Sequence, residues 1–547
     1  MNALLGRFLR GFWGPALVHA VLLLGAFHPL DQGWLAVPAW VVLFASMRLR
    51  RGAKSARQMF VAAFVFFLVG LWWTAPIMVG GWIFAAFWCA AWEALFARWL
   101  GGFFRKASPA RLGQWLLLAP CAHLLFDMLR TTVFSGFPWF LTGYAGWRIP
   151  MLIGSADLLG VHGATLAILA LAAALAELTV RSVGNAPHDE VDAATPARGA
   201  GRVLAVAGTI WIAFTAWTYL KPAPTLRPGP RVALLQANIP QKTKEDLLNS
   251  GGERWSRTRW VQTHVDLIEQ ARQENTGRPI DLVVWPETMF PERAILPLDT
   301  VRNAELIWKP LSSWADGAST LAGLMTFDPS TGRLANSSVL IDPRGRPLGR
   351  QDKRHLTPGG ETLLFLDWLP EGLRGRFEAW LREWAGYVPN LAAGTSAQPL
   401  PVPLRGGGEA RVGVVICYEC LFPALSRDQA LAGADFLLNS SNYGWFAGTP
   451  QMEQALALCA FRAAETRRAL VAASNNGLSA VIGPDGRVLS KLSHDEIMTD
   501  VRGVLVADVP LAEGVTPFVF WGEYSAWLLG LLATIFGLTL VRPGRPS

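Results

Sequence analysis

VVICYEC, residues 414–420, is an apolar run that ends abruptly in reactive residues. With Val412 and Gly413 in front, Val412–Cys417 has the length and β-branched content of a buried strand. The end of the run admits several readings. Cys417 at a strand end suits a nucleophile. Cys417 and Cys420 together suit a C-x-x-C redox pair or part of a zinc site, and both could be inert buried thiols. Zinc needs further ligands at regular spacing, and the chain has no second Cys pair or His pair. No helix obviously starts between the two cysteines, as a thioredoxin-like site would require.

Outward from this run, short apolar strands alternate with amphipathic helices. Strands are expected at Arg231–Ala237, Asp281–Trp285, 319–327, 337–342, Val412–Cys417, Asp435–Asn439, Ala469–Ala473, Ser479–Ile482 and Val504–Val509. Helices are expected at 254–274, 300–315, 422–432 and 451–468. This alternation predicts a layered α/β domain over residues 221–520. Three segment ends in it carry chemistry: Trp285-Pro-Glu-Thr288, the block Asp352-Lys-Arg-His-Leu-Thr-Pro-Gly-Gly-Glu361, and Cys417. A carboxylate can take the thiol proton, the sulfur can attack a carbonyl, and an ammonium can stabilise the oxyanion. A nearby lysine is also expected to lower the thiol pKa.

The rest of the chain is of another kind. Hydrophobic residues make up 52% and charged residues 16% of the sequence, against roughly a quarter charged in soluble domains. Much of the chain is therefore expected in lipid. Apolar stretches of about spanning length fall at 12–28, 34–49, 58–78, 82–100, 112–129, 150–178, 203–220 and 522–541. This predicts a membrane domain over 1–220 with about seven transmembrane helices, and a final transmembrane helix with a cytoplasmic tail over 521–547. The net charge of +8 is read by position, as a topology signal and not as a nucleic-acid surface. Arg7 and Arg10, the Arg48–Arg57 group, Arg98 to Arg111, Arg181 to Arg202, and Arg542 with Arg545 all fall on one side of an eight-span count. The positive-inside rule makes that side cytoplasmic and places residues 221–520 outside, in the periplasm of a two-membrane bacterium. Glu93, His123, Asp127, Arg130, Asp157 and His162 lie within or beside the spans, as a polar path, a headgroup site or interhelical pairs. Ser135–Phe140 is a candidate re-entrant or interfacial element.

The ordered motifs resemble the nitrilase (carbon–nitrogen hydrolase) superfamily. With the membrane spans added, they resemble its bacterial apolipoprotein N-acyltransferase family. They are Asn238-Ile-Pro-Gln241, Trp285-Pro-Glu287, Lys353 to Glu361, Cys417-Tyr-Glu419, Ser441-Asn442 with Trp445-Phe446, and Ser474-Asn-Asn-Gly477. Arg130 and Gly136-Phe-Pro-Trp139 match in the membrane part, so the likeness covers nearly the full length. It implies an αββα sandwich and a catalytic triad of Glu287, Lys353 and Cys417. Glu361 would assist Glu287 or hold Lys353, Tyr418 and Glu419 would support the nucleophile, and Trp445 would be a core aromatic or a wall of the acyl pocket.

The implied reaction is ping-pong acyl transfer through a Cys thioester, without cofactor or metal. The donor would be a membrane phospholipid, phosphatidylethanolamine, and the acceptor the N-terminal amine of a diacylglyceryl-cysteine lipoprotein. The implied location is the bacterial inner membrane with a periplasmic catalytic domain. Departures fall at Gly359, Tyr443, Glu453 and the Lys244–Glu245 neighbourhood, around substrate entry. They leave as alternatives a membrane-tethered nitrilase-type amidase using water and a non-enzymatic binder of an amide or lipid. Asn336 is unassigned, Cys420 and Cys459 are expected as packed small residues, and Cys89 and Cys121 as packing within the spans.

Overall fold

The computed structural model describes residues 2–107, 113–183, 196–241, 254–363, 369–385, 388–495 and 497–540. Arg111, Arg542, Arg545 and the Lys244–Glu245 neighbourhood lie outside the described residues, as do the side chains of Arg198 and Arg202. The chain divides into one unit formed by Met1–Ala223 with Thr516–Ser547, and a second formed by Pro224–Val515.

The first unit is helical. Helices Trp13–Gly25, Ala36–Leu49, Ser55–Gly70, Val79–Lys106, Trp115–Thr132, Ala156–Val183, Pro196–Leu220 and Tyr524–Leu540 occupy the eight apolar stretches. Val79–Lys106, Trp115–Ser135 and Ala156–Val183 are long and apolar enough to cross a membrane. Gly33–Leu49, Ser55–Gly70 and Tyr524–Leu540 are shorter apolar helices. Tyr524–Leu540, with 17 residues, rises only about 25 Å at 1.5 Å per residue.

The basic loops of this unit meet one another. Arg50 Nη1 donates to Gly11 O at 3.1 Å, Arg105 Nη1 to Gly52 O at 2.6 Å, and Arg48 pairs with Glu177 at 3.3 Å. Polar residues among the helices are paired. His123 lies 3.1 Å from Glu93 and 3.4 Å from Asp127, and Arg130 pairs with Asp127 and donates to Trp139 O. Asp157 pairs with Lys221, and His162 with Glu523. Of the readings offered by the sequence, these distances match interhelical pairing.

The second unit holds thirteen strands among its described residues: β1 Leu226–Gln236, β2 Leu282–Trp285, β3 Ala294–Ile295, β4 Ser319–Asp328, β5 Arg333–Ile341, β6 Pro347–Asp352, β7 Leu400–Pro403, β8 Glu409–Ile416, β9 Phe436–Ser441, β10 Leu470–Ser474, β11 Ala480–Ile482, β12 Val488–Lys491 and β13 Gly503–Ala512. They form two sheets, in the order β13-β1-β2-β4-β5-β6, with β3 on β4, and β12-β11-β10-β9-β8-β7. Within them β1, β2 and β4 run parallel, as do β8, β9 and β10.

Period-two alternation explains the layering. Val232 and Leu234 of β1, and Leu282 and Val284 of β2, pack with Val412, Val414 and Ile416 of β8 and Phe436 and Leu438 of β9 in one core between the sheets. The intervening Ala233, Leu235, Val283 and Trp285 face Trp260, Leu267 and Ile268 of helix Arg254–Glu274, and Ile307 and Trp308. Helices Pro423–Leu431 and Gln451–Thr466 pack on the other sheet. The result is the αββα sandwich that the resemblance implied.

Candidate active site

Parallel strands from both sheets end on the same side of this sandwich, where α/β folds place their ligand crevices. Glu287 follows β2, Cys417 follows β8, Asn442 follows β9, and Asn475 follows β10. The chain beyond β2 crosses β4 so closely that a Cβ at Gly323 would lie 2.2 Å from Pro286 O and 2.8 Å from Glu287 Cα. Only glycine there leaves the backbone of Glu287 where it is.

Glu287 is buried and held on both oxygens. Oε1 accepts from Asn336 Nδ2 at 2.8 Å and from Lys353 Nζ at 3.3 Å, and Oε2 accepts from the Asn442 backbone N–H at 2.8 Å. Lys353, buried just past β6, lies nearer to Glu361, with Nζ 2.8 Å from Oε2, and it also donates to Thr357 Oγ1 at 3.3 Å. Glu361 in turn accepts from Asn336 Nδ2 at 2.9 Å and from the Thr357 N–H at 2.8 Å. One amide, that of Asn336 in mid-β5, therefore bridges two carboxylates that share one ammonium. Burial works against charge on Lys353, but Glu287, then Glu361, outweigh it and hold the ammonium well above its ordinary range. Burial alone would raise the Glu361 carboxyl; Lys353, then Thr357 and Asn336, reverse that and hold it below its ordinary value.

Cys417 sits at a sharp turn between β8 and the 3-10 turn Cys417–Leu421, with φ at +53°. That left-handed conformation is costly for a non-glycine residue, and strain of this kind concentrates at functional sites. The thiol is hydrogen-bonded to Glu287 and packs beside Tyr443, Met452 and Phe446. The expectation of a lowered thiol pKa is corrected here. Burial, then the Glu287 charge, push the Cys417 thiol well above its ordinary value, and the opposing pull of Lys353 does not restore it. At rest Cys417 is a protonated thiol hydrogen-bonded to a carboxylate.

Glu419 does not touch the thiol. Its Oε2 accepts from the Ile416 N–H at 2.6 Å, and its Oε1 from the Arg354 and His355 N–H groups at 2.6 and 3.0 Å. It thereby clamps the segment after Lys353 to the strand end that carries Cys417. Tyr418 packs its ring against Phe422 and His355. Trp445 is 47% exposed on the turn Gly444–Phe446, so the core-aromatic reading is corrected. Tyr443 is buried, with a ring that would lie 2.2 Å from a Cβ at Gly477.

The structure thus brings Glu287, Lys353, Cys417 and Glu361 together. It leaves Glu419 and Tyr418 adjacent and Trp445 at the surface. Sequence reasoning missed Asn336, and it missed the contact of Asn442 with Glu287. The signal for Asn336 was a lone amide in the otherwise buried β5; that for Asn442 was its place just past a strand end.

Among the described residues, the Glu93, His123 and Asp127 ligand atoms lie within 4.8 Å of one another, as a metal site would need. Both His123 nitrogens face carboxylates, so the imidazole bridges two acids and Arg130 supplies a further positive charge. That arrangement is an ion-pair chain.

The family described as Carbon-nitrogen hydrolase matches residues 231–515, and that described as Apolipoprotein N-acyltransferase N-terminal domain matches 19–174. The Apolipoprotein N-acyltransferase of Brucella suis biovar 1 is 31% identical over 98% of both chains. That of Ralstonia nicotianae is 32% identical over 94% of this chain and 90% of its own. Among solved structures, the Nit3 protein of Saccharomyces cerevisiae, a nitrilase-superfamily member, aligns over 56% of this chain and 97% of its own at 18% identity with a TM-score of 0.36.

Proposed function

The chain belongs to the apolipoprotein N-acyltransferase family, and from the geometry of its second unit we propose that Cys417, Glu287 and Lys353 carry out acyl transfer by a ping-pong route. Glu287 takes the thiol proton as the Cys417 sulfur attacks an ester carbonyl of a membrane phospholipid. Lys353 stabilises the tetrahedral oxyanion. Collapse expels the lysophospholipid alkoxide, protonated by Glu287, and leaves a thioester on Cys417. The N-terminal amine of a diacylglyceryl-cysteine lipoprotein then attacks. Glu287 accepts the amine proton and returns it to the departing sulfur. Phosphatidylethanolamine is the proposed donor. Glu361 keeps Lys353 charged and placed, and Glu419 fixes the Lys353 and Cys417 segments to each other.

We place this chemistry at the periplasmic face of an inner membrane, because Arg50, Arg105 and Arg48 gather at one end of the helical unit. The observation that carries the catalytic reading is the protonated Cys417 thiol hydrogen-bonded to Glu287, with Lys353 3.3 Å from the same carboxylate. The test is mass spectrometry of a model diacyl-lipopeptide incubated with enzyme and phospholipid. Gain of one acyl chain on the N-terminal amine is expected, and without acceptor the acyl group should be found on Cys417. Release of free fatty acid alone would assign the site to a hydrolase, and neither product would leave only binding.

A further inference from the structure

Three residues after the nucleophile, Cys420 turns away into the core and meets Cys459 of helix Gln451–Thr466, with the sulfurs 3.5 Å apart. Both are buried and both are free thiols. We propose that Cys420 and Cys459 are an oxidation site, closing to an intramolecular disulfide that ties the nucleophile turn to this helix. The proposal rests on the periplasmic placement above, because such bonds persist in oxidising compartments.

The surrounding structure holds the two elements in position for it. Arg462, one turn beyond Cys459, donates from Nη1 to Cys420 O at 3.2 Å and to Leu421 O at 3.1 Å. Its Nε and Nη2 are held by Glu465 at 2.7 and 2.8 Å. The carbonyls of the turn are therefore already fixed to the helix. The sulfurs need to close by about 1.5 Å to reach the covalent distance of ~2.05 Å, a side-chain movement between docked elements. The two thiols are not equivalent. The Cys420 hydrogen bond, against burial and with help from Asn439 Nδ2 at 3.7 Å, holds Cys459 below its ordinary value, while the same contact and burial push Cys420 well above. Asn439 Nδ2, directed at the Cys459 sulfur, can donate to a thiolate there, so the first attack is assigned to Cys459.

The chemistry balances with a disulfide-bearing oxidant. The Cys459 thiolate attacks one sulfur of that disulfide and expels one thiolate. Cys420 then gives up its proton and attacks the Cys459 sulfur, which expels the second. Two protein thiols are oxidised, and one disulfide is reduced to two thiols. Because both sulfurs are shielded, exchange proceeds while the domain folds or in local openings. Cys417, hydrogen-bonded to Glu287, stays outside the pair and remains available to substrate.

The test uses the purified full-length protein in detergent, equilibrated with oxidised glutathione or 2-hydroxyethyl disulfide, quenched in acid, then unfolded and alkylated at neutral pH. The expected product is a linked pair of peptides containing Cys420 and Cys459, lighter by two hydrogens than the free pair, with Cys417 alkylated. Dithiothreitol should erase the link and lower the thermal midpoint of the wild type, but leave the midpoint of Cys420→Ala unchanged. Full alkylation of Cys420 and Cys459 under both oxidants, or a Cys417–Cys420 link, would overturn the proposal. The glutathione result does not depend on compartment. A reporter that placed the unit in the cytoplasm would defeat the placement and leave the chemistry of the pair standing.

Discussion

Replacing Glu361 by Gln tests whether the site needs its second carboxylate. In the structure Lys353 Nζ is 2.8 Å from Glu361 and 3.3 Å from Glu287. Glu361 therefore draws the ammonium away from the proposed base. It leaves Glu287 able to accept a proton and Lys353 able to turn toward an oxyanion. Gln keeps the size of the side chain and removes the charge, and its single carbonyl oxygen can keep either the Asn336 contact made on Oε1 or the Thr357 contact made on Oε2, with its amide NH2 left facing the other donor. Lys353 then pairs with Glu287 alone and remains compensated, so the protein should stay folded. A hydrogen bond to a charged group contributes about 1.5–3 kcal/mol. Turned against the base, that sum slows thioester formation roughly 10- to 150-fold at 1.36 kcal/mol per decade. The assay mixes enzyme with a fluorescent phospholipid in the absence of acceptor and follows label on the protein over time. A thermal midpoint recorded on the same preparation separates chemistry from folding. A variant with a wild-type midpoint and an acylation rate within twofold of wild type would reduce Glu361 to a structural carboxylate.

Alkylation of Cys417 by neutral iodoacetamide should accelerate about tenfold per pH unit from pH 7 to 9, because the thiol titrates above its ordinary 9.0 and its thiolate fraction grows throughout that window; a plateau below pH 9 would reveal a preformed thiolate. Asn336→Leu orphans one hydrogen bond on the buried Glu287 and one on the partly buried Glu361, so it should cost about 1–3 kcal/mol for the first and less for the second in thermal or denaturant unfolding, and it should slow acylation. Glu419→Ala should release the Arg354–His355 segment from the end of β8 and lower kcat with little change in KM, and an unchanged kcat would exclude the clamp. A reporter active only in the periplasm should work when fused after Pro224 and fail when fused after Lys54; the reverse pattern would overturn the assigned orientation.

The strands legible in the sequence were those buried on both faces, where near-continuous apolar runs leave little choice. Leu282–Trp285 and Glu409–Ile416 were each found to within a few residues of their observed ends. The elements missed were those whose burial does not require such a run. Leu400–Pro403 and Val488–Lys491 each lie at an edge of their sheet, and Pro347–Asp352 at an edge of the other. An edge strand can pack on one face and carry proline or charge, so Pro-Leu-Gly-Arg-Gln-Asp reads as a loop. Glu287 and Cys417, which the structure brings together, stood out in the sequence because Glu or Cys interrupts the run before it at a strand end. Their partners did not. Nothing local marks Asn336 as the bridge between Glu287 and Glu361, since the contact with Glu287 spans 49 positions and exists only when β5 lies beside β4. The thiol titration was misjudged for a related reason: counting Lys353 without burial or the Glu287 charge gives the wrong sign.

That sign bears on how the proposed site avoids creating charge. At rest the two carboxylates, one ammonium and a neutral thiol sum to one negative charge in a buried volume, where uncompensated charge is expensive. A preformed thiolate would add a second negative charge beside Glu287 and is disfavoured accordingly. If the proton passes to Glu287 as sulfur attacks the carbonyl, Glu287 becomes neutral as the substrate oxygen becomes anionic. The sum is unchanged and only its position moves, from the carboxylate toward the oxyanion, with Lys353 able to follow it. Glu361 cannot follow, because Asn336 and the Thr357 N–H hold it in place. It is the fixed countercharge that keeps Lys353 protonated in both states. The same accounting applies when an amine attacks the thioester and Glu287 takes a proton again. One charge balance therefore serves both halves of the reaction, which is what a ping-pong site with a single base requires.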